Sequence, residues 1–333
     1  MVYIHNKKVV APDGKPVKRI KTLINCLSSK AEVLYPNVLT LDYVSLNLMG
    51  ENKGSMYYAR ASDSIYKRFG YEKGCPWKGV QYKTVFLDQN KKHKDGDRFE
   101  LSYFFNIAGE VDKKNMKLVV EQASLYIIKL NGKEVKAGKE TWLDPDFNCI
   151  DIEEYIRPGK NEVKLSMNRF DNRCDPSPVY ILGSFSLESA EKGWNIKPAK
   201  DIITGSWKNQ GLPFYSESVK YTKTITAETQ GDYEIELPNW NGTVAEVLVN
   251  GKSTGIIQSQ PYTKKIKLEA GANEVSVVVY GSLKNVFGPH HVYARGFMRP
   301  PAFRVGKEIM PPGIDYDFLD YGLMEDFEIY GFN

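Results

Sequence analysis

The chain has 333 residues, of which 42% are hydrophobic and 26% are charged, a composition that suits a soluble globular protein built from two domains of roughly 150 residues each. Its formal net charge is only +4, with lysines and glutamates interspersed, which argues against a nucleic-acid-binding protein. The sequence contains no run of about 18 apolar residues, so we expect no membrane-spanning helix.

The first half is predicted to consist mainly of short strands. Residues 1–30 are rich in lysine and contain proline and glycine turns, which predicts an extended connector rather than a domain. A short helix is expected at 59–69, because Ile65 and Phe69 lie four residues apart. Alternating or continuous apolar segments predict β-strands at residues 38–48, 80–87, 98–107 and 179–185.

Two turn motifs occur in each half of the chain, in the same order. An Asn-Gly-Lys turn follows an apolar residue at 130–133 and again at 249–252, and a Gly-x-Asn-Glu turn occurs at 159–162 and again at 271–274. The spacing between the paired turns differs, which indicates a divergent domain duplication rather than a solenoid repeat. Regularly spaced short strands without helical periodicity predict an all-β fold of two tandem antiparallel β-sandwiches of jelly-roll type.

The clearest hairpin unit lies in the second half, at residues 232–252. Apolar and polar residues alternate there at strand period. Asn241-Gly242 and Asn250-Gly251 are the pairs expected to form its tight turns, because asparagine and glycine tolerate a positive φ.

The domain boundary is expected within residues 188–203, where the strand period breaks. This gives a first sandwich at 31–188 and a second at 189–333. Prolines from residue 288 onward predict a loop that wraps the second sandwich, since proline cannot donate to a strand ladder. Residues 323–332 return to alternation and predict a strand that closes a sheet.

A series of spaced motifs runs through the second half: 205–216 (GSWKNQGLPFYS), 221–225 (YTKTI), 240–252 (WNGTVAEVLVNGK), 282–285 (SLKN), 288–291 (GPHH) and 320–327 (DYGLMEDF). These motifs resemble the sugar-binding, galactose-binding-like sandwich domain of family 2 type glycoside hydrolases. Residues 37–43 (NVLTLDY), 142–147 (WLDPDF) and 179–185 (VYILGSF) resemble the sandwich that precedes it. Together they look like the carboxy-terminal, non-catalytic region of large bacterial polysaccharide-degrading hydrolases, including those of the α-L-rhamnosidase kind.

The resemblance implies that the catalytic residues of such an enzyme lie on a (β/α)₈ barrel ahead of these domains. A barrel takes about 250 residues of alternating strands and helices, for which this sequence has neither the spare length nor the helical pattern. We therefore expect a non-catalytic carbohydrate-binding or scaffolding region. Its expected partners are a plant or host polysaccharide and the catalytic barrel of the same parent protein.

Residues 1–8 lack the apolar core of a secretory signal. The expected location is periplasmic or extracellular for the parent protein, and cytoplasmic if this chain is the full product. Two other functions stay open on the sequence: a stand-alone glycoside hydrolase or lyase with its site between the sandwiches, and a surface adhesion module that binds a protein. Nucleotide binding, serine hydrolysis and metalloprotease activity have no supporting motif.

Aromatic residues are the best candidates for binding a sugar, because the apolar face of a sugar stacks on a flat ring while its hydroxyls need polar neighbours. Trp240, flanked by Asn239 and the further candidate Asn241, is expected to be the most exposed of them. A buried core position is the alternative for each ring. The aromatic candidates are Trp207, Phe214, Tyr215, Trp240 and Tyr262.

His290 and His291 are further candidates for contacting a sugar. Adjacent residues in an extended segment point to opposite sides, so a structural role and metal binding are the alternatives. Asp144 and Asp146 are candidate ligands of a structural calcium ion, or else turn caps, and no other cofactor is expected.

The four cysteines have no C-x-x-C spacing, so neither a zinc site nor a redox pair is indicated. We expect free buried thiols, and a disulfide between the third and fourth cysteines stays open. The cysteines are Cys26, Cys75, Cys149 and Cys174.

Overall fold

The computed structural model describes residues 19–21, 28–76, 93–292 and 300–332. Most of the predicted connector at 1–30, together with Cys26 and the predicted strand at 80–87, lies outside these residues. The helices are α1 (Tyr58–Arg68) and α2 (Lys284–Phe287), with 3₁₀ turns at Ala123–Leu125, Trp207–Gln210, Pro300–Arg304 and Gly313–Asp315. The strands, in chain order, are β1 (Arg19–Lys21), β2 (Lys30–Val33), β3 (Asn37–Leu41), β4 (Tyr43–Leu48), β5 (Glu51–Tyr57), β6 (Phe99–Ile107), β7 (Lys117–Glu121), β8 (Ile127–Leu130), β9 (Lys133–Val135), β10 (Thr141–Trp142), β11 (Asp144–Asp151), β12 (Gly159–Met167), β13 (Val179–Gly183), β14 (Phe185–Ser189), β15 (Trp194–Pro198), β16 (Ser218–Ala227), β17 (Gly231–Glu236), β18 (Trp240–Asn241), β19 (Val244–Val249), β20 (Lys252–Ile257), β21 (Thr263–Leu268), β22 (Gly271–Tyr280), β23 (Gly322–Leu323) and β24 (Glu328–Phe332).

Two sheets form the first sandwich. One has the strand order β10-β11-β7-β13-β3, and the other has the order β14-β15-β6-β12-β8-β9, with β4 beside β6 and β5 beside β4. Alternate residues of β6 and β12 are buried, so that Phe99, Leu101, Val163 and Leu165 face a shared core. Among the described strands the pairing is antiparallel except for a short parallel contact between β15 and β6. The predicted all-β sandwich fold is confirmed.

The second sandwich combines strands that lie far apart in the sequence. Its sheets have the orders β1-β24-β17-β21 and β2-β16-β22-β19-β20, and β18 pairs with β23. Its core includes Tyr221, Ile235, Val247 and Val277. Although β1 and β2 precede the first sandwich in sequence, they pair with β24 and β16. The described chain thus passes from the second sandwich into the first and back. The strand predicted at 323–332 is divided into β23 and β24, and β24 lies between β1 and β17 in its sheet.

The predicted strand at 38–48 is divided at Asp42, and this prediction of one continuous strand was wrong. The two parts belong to different sheets, because β3 pairs with β13 while β4 pairs with β5 and β6. The Asp42 carboxylate accepts hydrogen bonds from His291 and from Tyr316, each 2.9 Å long. Its carbonyl oxygen accepts one from the N–H of Tyr58. These long-range contacts turn the chain from one sheet to the other. The alternation of apolar and polar residues at 38–48 does not reveal them.

The duplicated turns have the same structure in both sandwiches. Asn131 and Asn250, and the glycine that follows each, have a positive φ, as a type I′ turn requires. The Asn131 Nδ2 donates to Asn161 Oδ1 at 2.8 Å, and the Asn250 Nδ2 donates to Asn273 Oδ1 at 3.1 Å. Asn161 and Asn273 are buried, and each donates to two backbone carbonyls of its own turn. One hydrogen-bond network therefore recurs in both halves, as a duplication predicts.

Asn241-Gly242 does not form the predicted tight turn. Asn241 belongs to β18, which pairs with β23, and neither Asn241 nor Gly242 has a positive φ. Glycine is needed at 242 for another reason, since a Cβ there would lie 2.7 Å from the carbonyl oxygen of Tyr280. The prediction failed because pairing with a strand distant in sequence fixes this backbone.

The tail after Gly288 crosses the junction between the two sandwiches, whereas the sequence predicted that it wraps the second one. Tyr316 and Phe318 pack into the core of the first sandwich, where Phe318 meets Phe214 at 4.9 Å between ring centroids. Burial of these large rings is the physical reason for the difference. Lys284 in α2 forms a buried ion pair with Asp317 of the same tail.

The predicted short helix and the predicted buried thiols are present among the described residues. Helix α1 confirms the helix predicted at 59–69. Cys75, Cys149 and Cys174 are buried and form no disulfide, as expected. No helix among the described residues has both the length and the apolar character needed to cross a membrane.

Candidate functional site

The predicted histidine pair lies in the buried junction between the sandwiches. His291 Nε2 donates to Asp42 Oδ2 at 2.9 Å, and the Tyr316 hydroxyl donates to Asp42 Oδ1 at 2.9 Å. His290 Nε2 lies 2.9 Å from the carbonyl oxygen of Asn285. We call Asp42, His290, His291 and Tyr316 the Asp42 cluster. Both imidazoles are buried, with side-chain exposures of 3% for His290 and 1% for His291, so the cluster joins the two sandwiches through polar contacts.

The electrostatics of the Asp42 cluster favour a carboxylate anion. Burial alone would raise the pKa of Asp42, but the nearby His290 ring, whose Nδ1 lies 3.9 Å from Asp42 Oδ2, and the hydrogen bond from His291 outweigh it and lower the pKa to about 2. Burial, followed by the nearby charge of Asp42, raises the pKa of the Tyr316 hydroxyl, which therefore stays a proton donor at neutral pH. The Asp42 carboxylate is thus a buried anion whose oxygens accept hydrogen bonds from His291 and Tyr316.

Three of the predicted aromatic candidates are enclosed by protein. The Trp207 Nε1 donates to the Tyr221 hydroxyl at 2.8 Å inside the second core. The Tyr215 hydroxyl donates to the carbonyl oxygen of Ser218 at 2.7 Å. Phe214 lies in the core of the first sandwich. Their rings stabilise the two cores and the junction between them.

Trp240 and Tyr262 form a partly exposed aromatic pair on the second sandwich. Their ring centroids lie 5.5 Å apart and the ring planes meet at 82°. Asn241 is exposed, and Asn239 Nδ2 donates to Glu325 Oε1 at 3.2 Å beside them. We call Asn239, Trp240, Asn241, Tyr262 and Glu325 the Trp240 corner. It brings together a pair of rings, two amides and a carboxylate.

The backbone holds the Trp240 corner in place. Trp240 lies opposite Leu323 in the β18–β23 pair. The N–H of Leu237 donates to the carbonyl oxygen of Tyr262 at 2.9 Å, which ties the second ring to the same region. Both rings also pack against the second core. The exposed parts of the site are therefore positioned before any ligand binds.

Asp144 and Asp146 are exposed on β11. The N–H of Asp146 donates to Asp144 Oδ1 at 2.9 Å, which is the turn-capping role expected as the alternative. Within the described ranges, no group of three or more His, Cys, Asp or Glu side chains is arranged to hold a metal ion. Calcium binding by this pair stays a prediction.

No protein-family model matches the chain. No curated protein matches it either. Among solved structures, a rhamnosidase from Novosphingobium sp. PP1Y is 15% identical over 72% of this chain and 23% of its own, with a TM-score of 0.29. A β-D-mannosidase from Dictyoglomus thermophilum is 11% identical over 78% and 32%, with a TM-score of 0.28. A GH2 β-galacturonidase from Eisenbergiella tayi is 12% identical over 78% and 38%, with a TM-score of 0.23.

The chain is thus similar to parts of glycoside hydrolase chains and spans between 23% and 38% of the length of these three.

A pocket of about 330 Å³ lies between the sandwiches, and we call it the junction pocket. The sequence left a site between the sandwiches open as an alternative. One of its lining residues, Tyr215, was a sugar-binding candidate from the sequence, whereas Glu140 and Glu217 were not. The walls come from segments far apart in the chain, so no local motif marks the cavity. Its principal lining residues are Tyr35, Lys117, Glu140, Trp142, Glu217 and Val286.

Proposed function

We propose that this chain is a non-catalytic carbohydrate-binding or scaffolding region of a polysaccharide-degrading glycoside hydrolase, and that it binds sugar at the Trp240 corner. The observation that carries the proposal is the partly exposed Trp240–Tyr262 pair beside the exposed amide of Asn241. The spaced motifs that resemble sugar-binding sandwich domains support the same class of function.

The chemistry of the Trp240 corner suits a polysaccharide. The C–H face of a pyranose packs on an indole or phenol ring, and its hydroxyls exchange hydrogen bonds with amides and carboxylates. Asn241 offers both a donor and an acceptor, and Glu325 offers acceptors. Because the rings are anchored to the core, little conformational entropy is lost on binding.

Glycoside hydrolysis takes two carboxyl groups that face each other across the sugar. Of the five residues that define the Trp240 corner, Glu325 is the carboxylate, and it already accepts a hydrogen bond from Asn239. The corner therefore favours binding over hydrolysis. As further parts of the proposal, the catalytic barrel of the parent protein supplies the chemistry, and the parent protein acts in the periplasm or outside the cell.

Calorimetric titration of the full chain with plant and host polysaccharides tests this function. We expect one class of polysaccharide to bind, and Asn241→Ala and Trp240→Ala to weaken that binding at least about tenfold. Ile256→Ala is the matched control, since Ile256 is an exposed apolar residue of the same sandwich outside the corner. Absence of binding to every polysaccharide, or wild-type affinity in both variants, would contradict the sugar-binding role.

A further inference from the structure

Two hydrogen bonds between residues distant in sequence hold the walls of the junction pocket. The N–H of Tyr35 donates to the Tyr215 hydroxyl at 3.3 Å, and Thr40 Oγ1 donates to the carbonyl oxygen of Val286 at 2.9 Å. The second contact holds α2 against β3. The two bonds place walls from both sandwiches around one cavity, so the pocket exists before a ligand arrives.

The aromatic wall of the junction pocket is also fixed. Trp142 is half-buried, and its ring contacts those of Tyr180, Phe147 and Phe287 at centroid distances of 5.3, 6.4 and 6.3 Å. These rings hold the indole so that its remaining surface lines the cavity. The neighbouring Leu143 also lines the pocket, with a φ of 60° that a leucine rarely adopts. Strained backbone of this kind is concentrated at functional sites.

Two carboxylates line the pocket in different states. Glu140 forms an ion pair with Lys117, whose Nζ lies 2.5 Å from Glu140 Oε2 and 3.2 Å from Asp151 Oδ1. None of the described residues donates a hydrogen bond to the side chain of Glu217, and partial burial raises the pKa of this carboxyl. Glu217 is therefore an acceptor available to a ligand, and the lining charges of Glu140, Lys117 and Glu217 leave a net negative site.

We propose that the junction pocket binds one neutral sugar unit at the end of a glycan, with its apolar face on Trp142 and a hydroxyl donating to Glu217. The volume of about 330 Å³ is at the lower limit of small-molecule sites, which fits a single unit rather than an extended chain. The net negative lining disfavours uronic acids, because a second carboxylate near Glu217 is repelled. The ligand class rests on the proposed function, but the site shares no residue with the Trp240 corner.

Titrations of the full chain with methyl glycosides test this site. The neutral probes are methyl hexosides and methyl 6-deoxyhexosides, and the charged probe is a methyl hexuronide, with binding followed by calorimetry and by ligand-observed NMR. We expect a neutral glycoside to bind and the uronide to bind at least about tenfold more weakly. Glu217→Ala and Trp142→Phe should each weaken neutral glycoside binding by about threefold or more, with Glu228→Gln, an exposed carboxylate of the same sandwich, as the unchanged control.

The outcome separates this site from the Trp240 corner. Trp240→Ala should leave binding of the methyl glycoside unchanged. If polysaccharide binds but no methyl glycoside does, the junction pocket inference is wrong while the proposed function stands. Equal or tighter binding of the uronide, or wild-type affinity in both Glu217→Ala and Trp142→Phe, would also overturn the inference. If the methyl glycoside binds as expected but no polysaccharide does, the Trp240 corner fails and the pocket stands.

Discussion

Replacing Asp42 by asparagine should lower the free energy of unfolding by about 4 kcal/mol. Asp42 is 2% exposed and accepts hydrogen bonds from His291 and Tyr316, both 2.9 Å long. The substituted side chain would keep the shape but lose the charge, and its amide nitrogen would face an N–H or O–H donor. Disrupting a buried charged network by removing one partner costs about 3–5 kcal/mol, because the other polar groups stay buried.

Urea unfolding followed by tryptophan fluorescence measures this loss. Tyr316→Phe is the matched variant, since it removes one of the two hydrogen bonds and should cost about 2 kcal/mol. Because the pKa of Asp42 is lowered to about 2, its contribution is present above its unfolded value of 3.8 and is lost as the pH falls through about 2. The difference between wild type and Asp42→Asn should shrink accordingly in acid. A loss below about 0.5 kcal/mol at pH 7 would refute the role assigned to the Asp42 cluster.

Three further predictions concern stability. Burial and then the charge of Asp175 raise the pKa of Glu121 from 4.5 to about 7, so the free energy of unfolding falls as the pH rises from about 4.5 to 7. Thermal unfolding of Glu121→Gln should therefore show a free energy of unfolding about 2 kcal/mol above wild type at pH 8 and little difference at pH 4. Asn161→Ala and Asn273→Ala should each cost about 2–3 kcal/mol in urea unfolding, because they break equivalent buried networks; a cost in one sandwich alone would contradict their equivalence. If Asp144 and Asp146 bind calcium, millimolar calcium should raise the melting temperature of wild type and not of a double alanine variant. An unchanged melting temperature of wild type would show that this pair does not bind calcium.

The parts of the fold that the sequence predicts depend on neighbouring residues. Asn250 and the glycine after it form the predicted type I′ turn because only their own backbone conformation decides it. Alternation likewise predicted β6, where every second residue is buried. In both cases the interactions that decide the structure involve residues close together in the sequence, so the sequence pattern is enough to predict them.

The parts that the sequence missed depend on distant residues. The break at Asp42 is caused by His291, which lies 249 residues away in the chain. Asn241 is held in a strand by Gly322 rather than in a turn. The candidate site shows the same division: Trp240 was chosen because of its polar neighbours in sequence, whereas Trp142 and Glu217 meet only because the two sandwiches dock.

The central claim is that this chain binds a polysaccharide at the Trp240 corner. Fluorine NMR of the chain labelled with 5-fluorotryptophan tests it directly, because the five tryptophans give separate signals and Trp240→Phe assigns the relevant one. We predict that a bound polysaccharide shifts the Trp240 signal and leaves the signal of the buried Trp207 unchanged. Binding that leaves the Trp240 signal in place, or no binding by any polysaccharide, would contradict the account.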